Sequence, residues 1–151
     1  MLADVLAAVA VLALGLTALV SSIPVSGAAV SEGSQLTTAT FLASARLEET
    51  RAAAWSSSPA VDRLGISAHP GAGPHASGIP TFPDESPLAP PYGRFNRDVR
   101  ISDCAAAPGC AGIVSPRLRQ ITVRASYRPV SAAGVASTDK TISLTTLVAE
   151  R

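Results

Sequence analysis

The sequence predicts an α+β protein in which a long N-terminal helix packs on a small antiparallel β-sheet of three to four strands. Residues 1–58 carry a helical pattern whose first half is apolar, and residues 95–151 contain stretches in which apolar and polar residues alternate. Alternation with a period of two is typical of a sheet that buries one face, and that face needs a cover. The apolar stripe of the helix is the available cover.

Residues 1–30 form the predicted transmembrane part of this helix. No charged side chain occurs from Val5 to Ser31, and at 1.5 Å per residue this run is long enough to cross a hydrocarbon layer about 30 Å thick. A secretory signal peptide has a shorter apolar region, about 7–15 residues, behind a basic segment. Neither Lys nor Arg precedes this run, so we interpret it as a membrane helix.

Residues 31–58 are the predicted amphipathic continuation of the helix. Its proposed apolar positions recur at three- and four-residue steps: Leu36, Thr40, Ala43, Leu47, Thr50 and Ala54. Arg46, Glu49 and Arg51 lie between them, on the predicted wet face. Pro24 removes a backbone donor and is predicted to kink the helix, the alternative being two separate helices.

Residues 59–94 are rich in proline and are predicted to form a long irregular loop. His69 and His75 lie in this loop within the sequence HPGAGPH. A zinc site would need further ligands that the neighbouring sequence lacks. We therefore interpret both as exposed loop histidines and predict no metal site.

Three strands are predicted in residues 95–151. Phe95 to Ser102 and Leu118 to Tyr127 alternate regularly, and a third stretch has its inward positions at Ile142, Leu144, Thr146 and Val148. Cys104 and Cys110 lie in the loop between the first two strands. A hairpin-like excursion can bring such side chains within the Cα distance of about 5.5 Å that a disulfide needs. A disulfide is the preferred interpretation, and free structural thiols are the alternative.

The composition indicates neither nucleic-acid binding nor catalysis. The net charge is +1, and the arginines are scattered without clusters or interleaved aromatics. There is no Gly-x-Ser-x-Gly motif and no glycine-rich phosphate motif, and the acidic residues lie in loops or on polar strand positions. We predict that the chain is not an enzyme and takes no cofactor.

The N-terminus resembles that of mature type IV pilins and type II secretion pseudopilins, which carry the prepilin N-terminal methylation motif. Leu2-Ala3-Asp4-Val5-Leu6 resembles the family's Leu-Ile-Glu-Val-Leu, and Leu14-Gly15-Leu16 resembles its Leu-Gly-Leu step. Pro24 stands where many members have a kinking proline. The segment from Phe41 to Ala52, and the last two predicted strands, are most similar to V-type minor pilins and I-type pseudopilins.

This resemblance implies a pilin-like fold and a subunit of a type IV pilus or a type II secretion pseudopilus. The implied partners are other pilin or pseudopilin subunits, membrane lipid before assembly, and prepilin peptidase acting on a precursor whose short basic leader would precede Met1. The implied location is the bacterial inner membrane with a periplasmic C-terminal domain, or an extracellular pilus. The alternative is a single-span membrane protein whose β-domain binds a ligand without polymerising.

Asp4 stands where the family usually has Glu, and the resemblance implies a role for it in assembly. A carboxylate in a bundle of such helices would pair with the α-amino group of a neighbouring subunit. The alternative is a carboxylate in the lipid headgroup layer, near the positive end of the helix dipole.

Overall fold

The computed structural model describes residues 2–56, 61–67, 81–105, 109–110, 112–129 and 138–150, and for residues 21–26 it describes the backbone alone. The elements follow one another as helix α1 (Leu2–Ala52) and strands β1 (Phe95–Asp103), β2 (Leu118–Tyr127) and β3 (Lys140–Ala149). The predicted α+β layout of one long helix and an antiparallel sheet is confirmed.

Helix α1 is a single element whose helical backbone includes position 24. The interpretation of one helix is therefore correct, and the alternative of two separate helices is wrong. Asp4 stands in its first turn and Arg51 in its last, where each charge interacts favourably with the helix dipole. Hydroxyl groups along the helix donate to carbonyl oxygens three or four residues earlier, at Thr17, Thr37, Thr38, Thr40 and Thr50.

The three strands form an antiparallel meander in the order β1-β2-β3. Val99 lies opposite Val123, and Val123 lies opposite Leu144, so apolar residues of one parity line up across the sheet. These residues form the inner face, which is turned toward α1. The fully buried positions of this face are Val99, Ile101, Ile121, Val123, Ala125 and Tyr127.

The second half of α1 covers this inner face with a stripe that overlaps the predicted one in part, because Ala43 and Thr50 of the predicted stripe are buried and Leu47 is partly buried. The buried helix positions are Ala39, Leu42, Ala43, Arg46 and Thr50. Leu36 is 44% exposed and Thr40 is exposed, whereas Arg46, predicted on the wet face, is buried. Contact with the sheet therefore buries a stripe displaced from the predicted one, toward Ala39, Leu42 and Arg46.

The helix ends at Ala52, earlier than the predicted end of the helical segment at residue 58. The Ala53 N–H still bonds the Thr50 carbonyl at 3.2 Å, and the chain then turns so that Trp55 is buried against the domain. The turn after the helix thus places this indole in the core.

The described parts of the 59–94 segment pack along the outer edge of β1. Ser67 forms a bridge with Ile101, and Glu85 forms a bridge with Arg97. Leu64, Phe82 and Leu88 from this segment are buried in the core. The segment has no helix or strand of its own among residues 61–67 and 81–94, as predicted, but its contribution to the core was not foreseen. His69 and His75 lie outside the described residues.

Helix α1 and strand β3 run in the same direction. Lys140, at the start of β3, forms an ion pair with Glu32. Near the other end of β3, Val148 lies opposite Arg119, whose guanidinium lies 4.3 Å above the ring of Trp55. The apolar half of α1 therefore leaves the domain at the end where β3 begins, the base, and Trp55 lies at the opposite end, the tip.

Candidate functional site

The N-terminal half of α1 extends away from the domain and is the most unusual surface of the chain. The helix segment Leu2–Val20 has a mean hydropathy of 2.3, and none of it is buried inside the chain. Large apolar side chains face outward around the whole helix: Leu2, Val5, Leu6, Val9, Val11, Leu12, Leu14, Leu16, Leu19 and Val20. Burying one Leu or Val side chain is worth about 1.5–3 kcal/mol. Lipid or other protein is needed to cover so large an apolar surface.

Two predicted site residues lie on this half of the helix. The carboxylate of Asp4 is exposed in the first turn, where both interpretations of its role place it. At Pro24 the structure describes the helical backbone and no side chain, so the predicted kink stays a prediction. The pairing of Asp4 with an α-amino group and its position in the headgroup layer both stay predictions.

Two large apolar side chains of α1 beyond this half are exposed on the side away from the sheet. Phe41 is 62% exposed and Val30 is 75% exposed. Eleven positions separate them, which is close to three helical turns, so both lie on one face. Relative to the buried Ala39, Phe41 is turned by about 200° around the helix axis. A bulky aromatic group is therefore presented outward, opposite the surface that covers the sheet.

Cys104 and Cys110 form the predicted disulfide, with a Cα–Cα distance of 5.0 Å. Cys104 follows β1 directly, and its backbone pairs with two residues at the entry to β2, because its N–H donates to Leu118 O at 3.1 Å and its carbonyl accepts from Ser115 N at 2.7 Å. Both half-cystines are buried. The loop between β1 and β2 is thus closed covalently at the tip.

A buried ion pair that the sequence analysis did not single out joins the post-helix segment to the sheet. The Arg119 Nη1 lies 2.8 Å from both carboxylate oxygens of Asp62, and the two side chains are 3% and 1% exposed. Arg119 also donates to Gly65 O and stacks on the ring of Trp55. Gly65 has a φ of 70°, which glycine adopts without strain.

The strand alternation contained a signal for this pair. Arg119 has the same parity as Ile121, Val123 and Ala125, so its side chain had to point to the inner face. A charge placed in an apolar row predicts a buried counter-charge. The position of that counter-charge, 57 residues away in the irregular segment, was not readable from any local pattern.

The ion pair lowers the pKa of Asp62. Burial acts to raise this pKa, because it disfavours the carboxylate. The hydrogen bond from Arg119, those from the backbone of Gly65 and Leu64, and the charge of Arg119 together outweigh burial, and the pKa of Asp62 lies below its ordinary value of 3.8. Asp62 is therefore ionised, and paired, at neutral pH.

A second polar cluster joins α1, β1 and the 81–94 loop. The Glu85 carboxylate lies 2.6 Å from Arg97 Nη2 and 4.0 Å from Arg46 Nη2. Arg97 also donates to the Leu42 carbonyl at 3.1 Å, and the Arg46 guanidinium lies 5.1 Å from the centre of the Phe82 ring. These contacts show why Arg46 is tolerated in the buried stripe.

Ion pairs lie on the outer face of the sheet. Arg100 contacts both oxygens of Asp84, at 2.6 Å and 2.9 Å. This hydrogen bond and charge lower the pKa of Asp84 and raise that of Arg100, against the opposing effect of burial. Asp98 lies between Arg100 and Arg124, at 3.6 Å and 3.3 Å. The part of the chain that the structure describes brings no three His, Cys, Asp or Glu side chains together as a metal site.

No known protein family, curated protein or solved structure matches this chain significantly. The described residues therefore combine one helix that is long and apolar enough to cross a membrane with a small disulfide-bonded β-domain.

Replacing Asp62 by Asn should destabilise the domain by about 3–5 kcal/mol at neutral pH, because Arg119 then stays buried without its counter-charge. Urea unfolding of the full chain in detergent measures this loss. Arg117→Ala is the matched control, since Arg117 precedes the same strand with a side chain 79% exposed, and it should change stability by less than about 0.5 kcal/mol.

The same pair makes stability depend on pH. Because the folded-state pKa of Asp62 is lowered, its contribution is complete above the ordinary value of 3.8 and is lost as the pH falls through the lower folded-state pKa. Asp62→Asn should therefore flatten the decline of stability in acid. An unchanged acid profile in the variant would contradict this role of Asp62.

Replacing both Cys104 and Cys110 by Ala should lower the stability by about 2 kcal/mol, because the closed loop is short and the entropic effect of a cross-link grows with loop length. Reduction of the wild-type chain with a thiol should give a similar loss. Two free thiols in the mass spectrum of the non-reduced protein would contradict the bond.

Proposed function

We propose that the chain is a structural subunit of the type IV pilin-like class, a minor pilin or pseudopilin that assembles into, or primes, a type IV pilus or a type II secretion pseudopilus. The observation that carries this proposal is the division of α1: its first half has an exposed apolar surface on all sides, while its second half covers a sheet. Such a helix can lie in lipid before assembly and among copies of itself afterwards.

The exposed Phe41 favours assembly over simple anchoring. A membrane anchor needs apolar surface only within the bilayer. Phe41 lies 21 positions beyond Val20, where the apolar helix segment ends. At 1.5 Å per residue this is about 30 Å along the helix. An exposed aromatic group at that distance, on the face away from the sheet, suits contact with a neighbouring helix.

In this proposal the precursor is processed by prepilin peptidase, and before assembly the subunit resides in the bacterial inner membrane with its β-domain in the periplasm. The disulfide between Cys104 and Cys110 suits that compartment, because disulfides persist in the oxidising periplasm. Asp4 is the residue that helps set the register of an incoming subunit, by pairing with the terminal amine of its neighbour.

The second candidate is a single-span membrane protein whose β-domain binds a partner without polymerising. It shares the apolar helix and the disulfide, but it gives Asp4 and Phe41 no role in contacts between subunits. Variants of these two residues therefore separate the two candidates.

The full chain should partition into membranes and need detergent for extraction, because Leu2–Val20 has no cover within the chain. A truncated chain that begins at Glu32 should be soluble and retain the sheet and the disulfide. Membrane fractionation with alkaline washing measures the difference. A full chain that behaves as a soluble monomer would contradict both candidates.

Asp4→Ala should leave membrane insertion and the fold of the β-domain unchanged and reduce incorporation into a filament or pseudopilus, because the neighbour's amine would lose its counter-charge. Asp4→Glu is the matched control, since it keeps the carboxylate, and it should assemble. Sheared filament preparations or cross-linking in the membrane measure incorporation. Equal incorporation of Asp4→Ala and wild type would return Asp4 to the headgroup role and favour the second candidate.

A further inference from the structure

Strand β3 has one backbone edge without a strand partner among the described residues. The Glu150 N–H bonds the Arg117 carbonyl at 3.0 Å, and the two residues lie opposite each other in the continued register of β2 and β3. Hydrogen-bonded pairs alternate along an antiparallel ladder, so the even-numbered residues of β3 bond to β2. The N–H and C=O groups directed to the open edge are those of Thr141, Ser143, Thr145, Leu147 and Ala149.

The other edge of the sheet is protected in a way that β3 is not. At β1, Ile101 exchanges two backbone hydrogen bonds with Ser67, and Arg97 does the same with Glu85. Exposed edges are commonly blunted by charged residues, proline or bulges. Between Thr141 and Ala149 there is no charged residue and no proline, and the register with β2 has no bulge. The open edge of β3 is long, regular and uncharged.

An apolar flank lies beside this edge on the inner face. Ile142, Leu144 and Val148 are only partly buried, although they pack on the core, and so is Leu47 of α1. The Leu42 carbonyl bonds Arg97 of β1, which places that side of the helix toward β1. Leu36 and Leu47 are turned more than 100° from Leu42, toward β3.

This arrangement fits one kind of occupant, an extended segment with apolar side chains at every second position. Only an extended backbone matches the spacing of donors and acceptors along a strand edge. Its inward side chains would lie beside Ile142, Leu144 and Val148 and against the flank formed by Leu36 and Leu47. Its outward side chains would lie beside Thr141, Ser143 and Thr145, in solvent.

A second copy of this chain does not fit the edge, a step that rests on the membrane anchoring proposed above. Antiparallel pairing of two β3 edges relates the copies by a two-fold axis perpendicular to the sheet. Because α1 runs in the direction of β3, the two apolar helices would then point in opposite directions, and one membrane could not hold both. In a parallel pair, a residue whose backbone bonds to the neighbouring strand lies opposite a residue whose backbone does not. Two-fold symmetry would place each β3 residue opposite the same residue of the other copy, so two β3 edges cannot pair in this way.

Pairing of β3 with the β1 edge of another copy is also disfavoured, because Ser67 and Glu85 already occupy that edge. We propose that the open edge of β3 binds an extended segment of a different protein by strand addition, with the apolar residues of that segment covering the flank between β3 and α1. The domain thereby has a docking site for a partner that is separate from the helix surface used in assembly.

Binding of a labelled peptide to the full chain in detergent micelles tests this site. The probe is a synthetic ten-residue peptide in which Val alternates with Thr, flanked by one Lys at each end, and the readout is fluorescence anisotropy. The wild-type chain should bind it saturably. The same peptide with two of its Val residues replaced by Pro should not bind, because it cannot pair along its length.

Thr145→Pro is the decisive variant. Its N–H points to the open edge and bonds nothing in β2, and proline is tolerated on edge strands. The variant should bind the peptide at least about tenfold more weakly, the effect of one lost hydrogen bond near the upper end of its usual range. Thr145→Val is the matched control: it also loses the contact between the Thr145 and Thr122 hydroxyls but keeps the backbone N–H, and it should bind as the wild type does.

Three results would overturn the proposal. They are the absence of saturable binding to the wild type, equal binding by Thr145→Pro when its near-ultraviolet circular dichroism is that of the wild type, and a wild-type dimer in detergent that Thr145→Pro dissociates. The last result would show that a second copy occupies the edge. Thr145→Pro should fractionate with membranes as the wild type does, so a failure of the peptide test and a failure of membrane anchoring are separate outcomes.

Discussion

The structure depends on the contact between the second half of α1 and the inner face of the sheet. A three-stranded sheet has one apolar face and no second layer of its own, so it is stable only if another element covers it. The small residues Ala39 and Ala43 are fully buried in this contact and allow the helix to approach the strands closely. Because the same helix continues into an apolar half, covering the sheet also fixes the position of the domain relative to that half.

Three arginines extend the contact beyond its apolar centre. Arg119 joins β2 to the segment that follows the helix, and Arg97 and Arg46 join β1, the helix and the 81–94 loop through Glu85. Each guanidinium lies near a carboxylate and also contacts an aromatic ring or a backbone carbonyl, so its charge is compensated and part of its flat surface is covered. The irregular segment is held to the sheet by these contacts, and its apolar residues Leu64 and Phe82 complete the core.

The backbone N–H and C=O groups at the two edges of the sheet have different surroundings. The segment before β1 returns along that strand and takes up its outer donors and acceptors. On β3, the N–H and C=O groups of alternate residues are directed outward beside a flank of half-buried apolar side chains. The helix leaves the domain at its base, so this edge runs from the base toward the tip of the domain.

The sequence alone determined the elements that depend on local patterning. The limits of β2, the alternation along all three strands, the inward positions of β3 and the uncharged half of the helix follow from residue periodicity and length, and the disulfide was inferred from the short spacing of Cys104 and Cys110. The tertiary structure decided which stripe of α1 is buried, where the helix ends, and what pairs with Arg119. The physical reason is that each of these features depends on partners far away in the chain: contact with the sheet buries the stripe around Ala39, Trp55 packs in the core beyond the helix end, and Asp62 meets Arg119 because the irregular segment returns to β2.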